Sequence, residues 1–245
     1  MFDLVSMAVL TAGAALVVFF LTSVLSELPR RRAAIAAAFA LLFVGVLTAG
    51  ANKIFSQTGI GTPGLGLGVV GPVVVLAALV LGMQRGREAV GRVPLASLIG
   101  VHAVRVLGIL FVLLYAAKRL PAPFAPVAGW GDVAIGVTAI PLALLTRDES
   151  RASKGLIIAW NVLGLTDLVV AVTLGAASAP GPLQIFQGGP SSAIMTSLPW
   201  LVIPGFLVPL LAFVHLCIFY RLRSTGVERT SERNLRMRVA ATDLS

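Results

Sequence analysis

The sequence predicts an all-α integral membrane protein with about seven transmembrane helices, its N-terminus outside and its C-terminus inside. Of the 245 residues, 58% are hydrophobic and 12% are charged, and the mean hydropathy is +0.97. The apolar residues form seven long runs, and most basic residues lie on one side of those runs. A soluble domain carries about 25% charged residues, so this composition excludes a soluble globular enzyme. A single cysteine, Cys217, excludes a disulfide scaffold.

The seven apolar runs have the length and the pattern of membrane-spanning helices. A helix needs about 20 apolar residues to cross the hydrocarbon core, and continuous runs favour helices over the alternating strands of a β-barrel. These helices form a transmembrane domain over 1–223, followed by a basic polar cytoplasmic tail over 224–245. The uncharged outer connection at roughly 177–197 is expected to be a flexible loop or a partial cap. The predicted spans are approximately 4–25, 32–50, 65–83, 95–117, 128–146, 155–176 and 198–220.

The net charge of +9 predicts the orientation of the chain in the membrane rather than a nucleic-acid partner. Fifteen of the 19 basic residues fall in loops 1, 3 and 5 and in the tail, whereas the opposite side holds only Lys53, Lys118 and Arg119. Cytoplasmic loops are enriched in Lys and Arg, so the side with fifteen is predicted to be inside. Those fifteen are Arg30, Arg31, Arg32, Arg85, Arg87, Arg92, Arg147, Arg151, Lys154, Arg221, Arg223, Arg229, Arg233, Arg236 and Arg238.

Several polar residues fall inside the predicted spans, where each is a candidate functional group because a charge in hydrocarbon is costly. His102 and Arg105 lie three apart on span 4, and Asn161 and Asp167 lie on span 6. Arg105 and Asp167 lie near the centres of their spans, which predicts an ion pair near the midplane. Asp132 opens span 5, so it is expected as a weaker partner of Arg105, with capping of the first helical turn as the alternative.

These residues lead to a functional hypothesis in which the protein carries, conducts or senses a proton or a small solute. Arg105 and Asp167 would form the gating or coordinating pair, with His102 as a proton-exchanging neighbour. Asn161 would be a neutral hydrogen-bond partner and Asp132 an acid at the outer mouth. The expected partners are the lipid bilayer and the proton or solute, and a homo-oligomer or a membrane partner subunit stays open. The sequence contains no recognisable nucleophile set or P-loop, so it does not favour an enzyme.

Two alternatives stay open. His102 and His215 are the only histidines and are predicted at similar depths, so they could ligate a b-type haem or a transition metal, although no other cofactor is expected. Without a cofactor, His102 would form a hydrogen bond with Asn161 or Arg105, and His215 would extend towards the inner membrane interface. The second alternative is an accessory membrane subunit in which Arg105 and Asp167 form a structural ion pair.

Five stretches between roughly 95 and 220 resemble an uncharacterised family of bacterial multi-pass membrane proteins. The likeness covers roughly 95–220, and the resemblance implies a location in the bacterial inner membrane and no particular chemistry. The matching stretches are His102-Ala-Val-Arg105-Val-Leu-Gly108-Ile-Leu-Phe111, Leu120-Pro121-Ala-Pro-Phe124-Ala125, Ala128-Gly129-Trp130-Gly131-Asp132 and Asn161-Val-Leu-Gly164-Leu-Thr-Asp167, together with the Pro204 to Pro209 stretch of span 7.

Overall fold

A computed structural model describes residues 1–25, 29–56, 60–147 and 153–224, and the elements in these ranges are helices. Seven of the described helices are long and apolar enough to cross a bilayer, which makes this a multi-pass membrane protein. The helices are α1 (Phe2–Leu25), α2 (Pro29–Ala51), α3 (Gly61–Leu81), α4 (Gln84–Arg92), α5 (Leu95–Ala116), α6 (Phe124–Leu145), α7 (Lys154–Ser178) and α8 (Ile203–Ser224).

The side of the bundle where α1 begins is called the N-terminal face, and the side where α8 ends is called the C-terminal face. An odd number of crossings places the start of α1 and the end of α8 on opposite faces. The short α-helix α4 does not cross, and it fills a connection for which the sequence predicted only a loop. Residues 225–245, which hold nearly all of the predicted tail, lie outside the described residues, as does Arg151.

The two helices at the centre of the bundle are α8 and α5. In their most apolar windows 72% and 50% of the residues are buried, against 11% in both α2 and α3. The peripheral helices therefore present large apolar side chains outward, such as Leu41 and Leu67, which are about three-quarters exposed. Lipid acyl chains can cover such a surface in a membrane. Because residues inside and outside the bundle are both apolar, burial and not hydrophobicity identifies the residues of its interior.

Helix α5 changes its winding in the middle of the span. An α-helical turn (Leu95–Gly100) is followed by a 3₁₀ segment (Val101–Gly108), and the α-helix resumes at Ile109–Ala116. A 3₁₀ helix has three residues per turn, so side chains three apart stack directly above one another. His102, Arg105 and Gly108 consequently form one buried row inside the bundle.

Two span boundaries differ from the prediction because the helices do not begin where the apolar runs begin. One helix begins before its run, and the other begins inside it. Helix α6 begins at Phe124 rather than at about 128, so Asp132 lies in its third turn and is not a capping residue of the first. Helix α8 begins at Ile203 rather than at about 198, with a π-helical turn over Ile203–Leu207. The residues before it belong to the connection from α7 and not to the span.

The connection between α7 and α8 folds over the N-terminal face as a cap. A short 3₁₀ helix (Ser192–Thr196) lies in it, and the Ser192 hydroxyl donates to the Gly175 carbonyl at 2.6 Å. Trp200 is 1% exposed and stacks on Phe2 at a centroid distance of 5.9 Å, so the end of the cap packs against the start of α1.

Candidate functional site

Arg105 lies at the centre of the described bundle, and its guanidinium joins four helices. The residue is 3% exposed. Its Nε donates to Asp132 Oδ1 on α6 at 2.6 Å, and its Nη2 donates to Asp167 Oδ2 on α7. Its Nη1 donates to the Gly164 carbonyl of α7 at 2.9 Å and contacts His215 Nε2 on α8 at 3.3 Å. The ion pair expected between Arg105 and Asp167 is therefore present, and Asp132 is bound just as directly.

The backbone of α6 reaches this site because glycines remove the side chains that would hold it away. A Cβ atom on Gly108 would collide with the Cβ atom of Asp132, and one on Gly131 would collide with the Asp167 carboxylate. A Cβ atom on Gly136 would lie 2.5 Å from the Val106 amide nitrogen of α5. Small residues at helix crossings permit such close approach. The shared contact of Arg105 with α6 and α7 depends on these glycines.

His215 is the site residue that sequence reasoning underestimated. Its Nδ1 lies 2.7 Å from Asn161 Oδ1, and Asn161 Nδ2 donates to the His215 carbonyl at 3.1 Å. Arginine offers donors only, so His215 Nε2 must accept from Arg105 and Nδ1 must carry the proton that Asn161 Oδ1 accepts. His215 is thus a neutral ring in this network, fully buried rather than reaching towards an interface.

His102 lies one turn from Arg105. The sequence predicted a hydrogen bond from His102 to Arg105 or Asn161, but the structure contains neither bond. Its ring stacks on His215 at a centroid distance of 4.0 Å and an angle of 29°, and it meets the edge of Trp160 at 5.5 Å. Neither ring nitrogen of His102 has a hydrogen-bond partner in the described part of the chain, although the residue is 0% exposed. The partners predicted for His102 are taken by His215 instead.

The two histidines lie together, but their arrangement does not favour the haem or metal alternative. An iron with two axial histidines needs two ring nitrogens that face one another across the metal. Here the rings stack face to face, and both nitrogens of His215 are engaged by Arg105 and Asn161. No group of three or more His, Cys, Asp or Glu residues is placed to hold a metal ion within the described ranges. An absorption spectrum of the purified protein tests the haem alternative directly.

The charges of the site do not cancel. Arg105 contributes one positive charge, and Asp132 and Asp167 contribute two negative charges when both are ionised. Each carboxylate bonds Arg105 through one oxygen, and no hydrogen bond among the described residues reaches Asp132 Oδ2 or Asp167 Oδ1. Their side chains are 14% and 15% exposed. The three residues are referred to below as the ionic cluster. The cluster can accept one proton on an oxygen that does not bond Arg105, so both hydrogen bonds from Arg105 can remain while one of the two salt bridges becomes a neutral hydrogen bond.

The site lies within a region that matches a protein-family model, and this region makes up most of the chain. The family is described as a domain of unknown function, DUF8737, and the match covers residues 62–223. No curated protein and no solved structure matches the chain. The matched region contains all the residues of the site, whereas α1 and α2 precede it. The motif residues His102, Arg105 and Gly108 lie in the buried row of α5 at the site. Gly164 lies there too, because a Cβ atom on it would lie 2.5 Å from His215 Cε1.

Proposed function

Because the chain belongs to the DUF8737 family, whose description assigns no activity, we propose a function from the site itself. The protein binds and releases a proton at the ionic cluster, and in doing so it carries, conducts or senses a proton or a small solute coupled to it. The cluster is Arg105 with Asp132 and Asp167. The observation that carries this proposal is the unequal charge of the cluster at the centre of an apolar bundle.

The excess negative charge gives the cluster a reason to take up a proton. An unpaired charge away from water costs several kcal/mol, even after relaxation of its surroundings. One guanidinium can neutralise one of the two carboxylates, and a proton on the other makes the cluster neutral. The second oxygens of Asp132 and Asp167 are available for that proton. Loading and unloading of a proton therefore changes the charge of the cluster between neutral and negative.

The histidines and Asn161 support this function in different ways. His215 and Asn161 hold each other and leave His215 Nε2 as a neutral acceptor beside Arg105, which fixes the guanidinium without adding charge. His102 stacks on that ring with both nitrogens unbonded within the described residues, so it is the one imidazole there that can exchange a proton without breaking a hydrogen bond. His102 is the proposed proton-exchanging neighbour of the cluster.

The proposed orientation places the N-terminus outside and the C-terminus inside. Fifteen of 19 basic residues support it, because positive residues are retained on the cytoplasmic side. With the likeness to bacterial multi-pass proteins, this gives the bacterial inner membrane as the proposed location. The bilayer is the expected partner, and a homo-oligomer or a partner subunit stays a prediction.

Infrared difference spectroscopy on the protein in liposomes tests proton binding directly. A pH step should produce the carbonyl-stretch band of a protonated carboxyl group, because one of the two aspartates gains a proton. Asp167→Asn or Asp132→Asn should remove that band by removing the excess charge. Asp3→Asn is the matched control, since Asp3 is half exposed and pairs with Arg119 outside the bundle centre. A carboxyl band that persists in both Asp167→Asn and Asp132→Asn would contradict the proposal that the cluster binds the proton.

Proton movement across the membrane separates the forms that this function can take. A pH-sensitive dye inside liposomes should report uptake after an external pH step if the protein carries or conducts protons. Asp167→Asn should abolish that uptake, and His102→Phe should slow it. If the infrared band is present but no uptake occurs in the wild-type protein, the proton is sensed rather than moved.

A structural role is the second candidate, and one observation favours it. Arg105 bonds to α6 and α7 and contacts α8, so the cluster could serve only to fix the helices of an accessory subunit. Replacing a buried ion pair with apolar or neutral groups is often neutral or stabilising. The combined variant Arg105→Met, Asp132→Asn and Asp167→Asn should then retain stability and function. The proton proposal expects the same variant to fold but to lose the infrared band.

A further inference from the structure

A cavity lies on the N-terminal side of the ionic cluster, beneath the cap. It encloses about 80 Å³ between α3, α7, α8 and the cap, and its walls are mostly apolar. Phe111, Phe124 and Pro204 line it, and the hydroxyl residues Ser192 and Thr196 contribute from the cap. Apolar cavities of this kind hold little water at rest. The cavity therefore forms a dry vestibule on the N-terminal side of the cluster.

A second and smaller cavity lies directly against the cluster. It encloses about 30 Å³, and Arg105 and Asp132 form part of its wall. Phe111, Ile203 and Val208 line this cavity and the vestibule alike. The two spaces are thus neighbours that share three apolar side chains. Ile203 belongs to the π-helical turn Ile203–Leu207, and such turns often occur at functional sites.

The C-terminal side of the cluster is packed with rings instead. His102 and His215 are 0% exposed and Trp160 is 7% exposed, and the three rings contact one another. Trp160 is held in place by a hydrogen bond from its Nε1 to the Thr138 hydroxyl at 3.0 Å. A further cavity of about 270 Å³ lies in the C-terminal half of the bundle between α2, α3, α4 and α8, but no residue of the ionic cluster or of the ring stack lines it. Next to the cluster itself the two sides therefore differ, with cavities on the N-terminal side and a stack of aromatic rings on the C-terminal side.

We propose that, in the conformation described above, the ionic cluster is reached from the N-terminal face alone, through a hydrophobic gate formed by Phe111, Ile203 and Val208. Carrying or conducting a proton would require the ring stack to open in a second conformation, whereas sensing would not. Water enters the vestibule and passes the gate when these side chains separate, and the ring stack keeps the C-terminal side closed. Apolar constrictions gate by excluding water, and widening them by a small amount is enough to wet them. This inference rests on the proposed function, because the gate controls the route by which a proton would reach the ionic cluster.

Cysteine labelling tests the route without relying on proton binding. In a Cys217→Ala background, single cysteines at Leu168 and Ala171 on α7 report on the inner cavity and the vestibule. The exposed positions Lys118 and Lys154 mark the N-terminal and C-terminal faces as sidedness controls. A small, charged, membrane-impermeant methanethiosulfonate is added to sealed vesicles from one side at a time, and the labelling rate is measured.

The expected result is a graded and one-sided pattern. From the N-terminal face, Ala171→Cys should label whenever water enters the vestibule. Leu168→Cys should label at least tenfold more slowly because the gate must open as well, and neither position should label from the C-terminal face. Phe111→Ala should raise the rate at Leu168→Cys severalfold and leave Ala171→Cys unchanged. Val208→Ala is the second gate variant, should Phe111→Ala fail to fold.

Two results would overturn the inference. One is labelling of Leu168→Cys from the C-terminal face, and the other is a rate at that position that no folded gate variant raises. The outcome is separate from the proposed function. One-sided labelling without the infrared band would retain the route and reject proton binding, whereas the band with two-sided labelling would do the reverse.

Discussion

Arg105 differs from a surface arginine because its donors are spread over four separate groups. Two carboxylate oxygens, one carbonyl oxygen and one imidazole nitrogen surround the guanidinium. The planar fork of arginine matches such a set, whereas the ammonium of lysine is a compact point charge. The identity of this residue therefore matters beyond its charge.

Replacement of Arg105 should be among the most destabilising single changes in the chain. Arg105→Met leaves two carboxylates buried without a cation, and removal of one partner of a buried ion pair costs about 3–5 kcal/mol. Arg105→Lys should cost less, because the charge remains while several hydrogen bonds are lost. Denaturant unfolding in detergent micelles measures both. The control is Arg119→Lys, in an exposed pair with Asp3, where a change of less than about 1 kcal/mol is expected.

The two histidines should respond differently to the same substitution. His215→Phe removes an acceptor from Arg105 and a donor from Asn161, and each buried group left unsatisfied costs about 1–3 kcal/mol. His102→Phe keeps the ring stack and removes no hydrogen bond within the described residues. Thermal unfolding should show a large loss of stability for His215→Phe and a small one for His102→Phe. Equal losses would contradict the assignment of the network to His215.

At the scale of the helices, the site depends on how closely α6 approaches α5 and α7. The glycines of α6 allow its backbone to lie against the 3₁₀ segment of α5, and Gly131 lies against the Asp167 carboxylate. The 3₁₀ winding in turn aligns His102, Arg105 and Gly108 in one row. The ionic cluster is therefore a product of helix packing, and its geometry can be changed without changing any charged residue.

Gly131→Ala is the variant that tests this dependence. The added methyl group collides with the Asp167 carboxylate, so the carboxylate must turn away from Arg105, and about 1–3 kcal/mol should be lost with that contact. Gly66→Ala on α3 is the matched control, because nothing lies within 4 Å of its added Cβ atom. That control should be neutral or stabilising by up to about 1 kcal/mol. Unfolding midpoints and the infrared carboxyl band measure both variants.

The sequence predicted the seven spans well and the inner geometry of one span poorly. Apolar length is imposed by the bilayer, so the runs themselves mark the helices. The 3₁₀ segment leaves no mark in composition, although the spacing of His102, Arg105, Gly108 and Phe111 by threes is the period of a 3₁₀ helix. A repeat of three among buried polar and small residues is the signal that could have predicted it.

Partner choice at the site was harder to predict than the presence of the site. Depth along the spans placed Arg105 level with Asp167, which was sufficient for the ion pair. Depth cannot say which way a ring turns about its helix, so His102 was expected to bond where His215 bonds. Asp132 was misjudged because α6 begins one turn earlier than its apolar run.

At the scale of the whole molecule, the bundle divides into a central part and a periphery. The family match over 62–223 begins at α3, and the four helices that hold the cluster, α5 to α8, lie within it. Helix α1 precedes the match but still contributes Leu10 to the wall of the inner cavity. Helix α2 lies further out, since only 11% of its apolar window is buried. The charged and hydrogen-bonding residues of the site are thus concentrated in α5 to α8.

Sidedness joins the orientation, the gate and the proton site in one final prediction. With the N-terminus outside and the vestibule on that face, the protonation of Asp132 or Asp167 should follow the external pH. In sealed right-side-out vesicles, a step in external pH should produce the infrared carboxyl band while the internal pH is held by buffer. In inverted vesicles, the same step should produce no band until an ionophore equilibrates the lumen. The reverse pattern would place the N-terminus inside, and equal responses in both preparations would mean that the ring stack of His102, His215 and Trp160 does not close the C-terminal side.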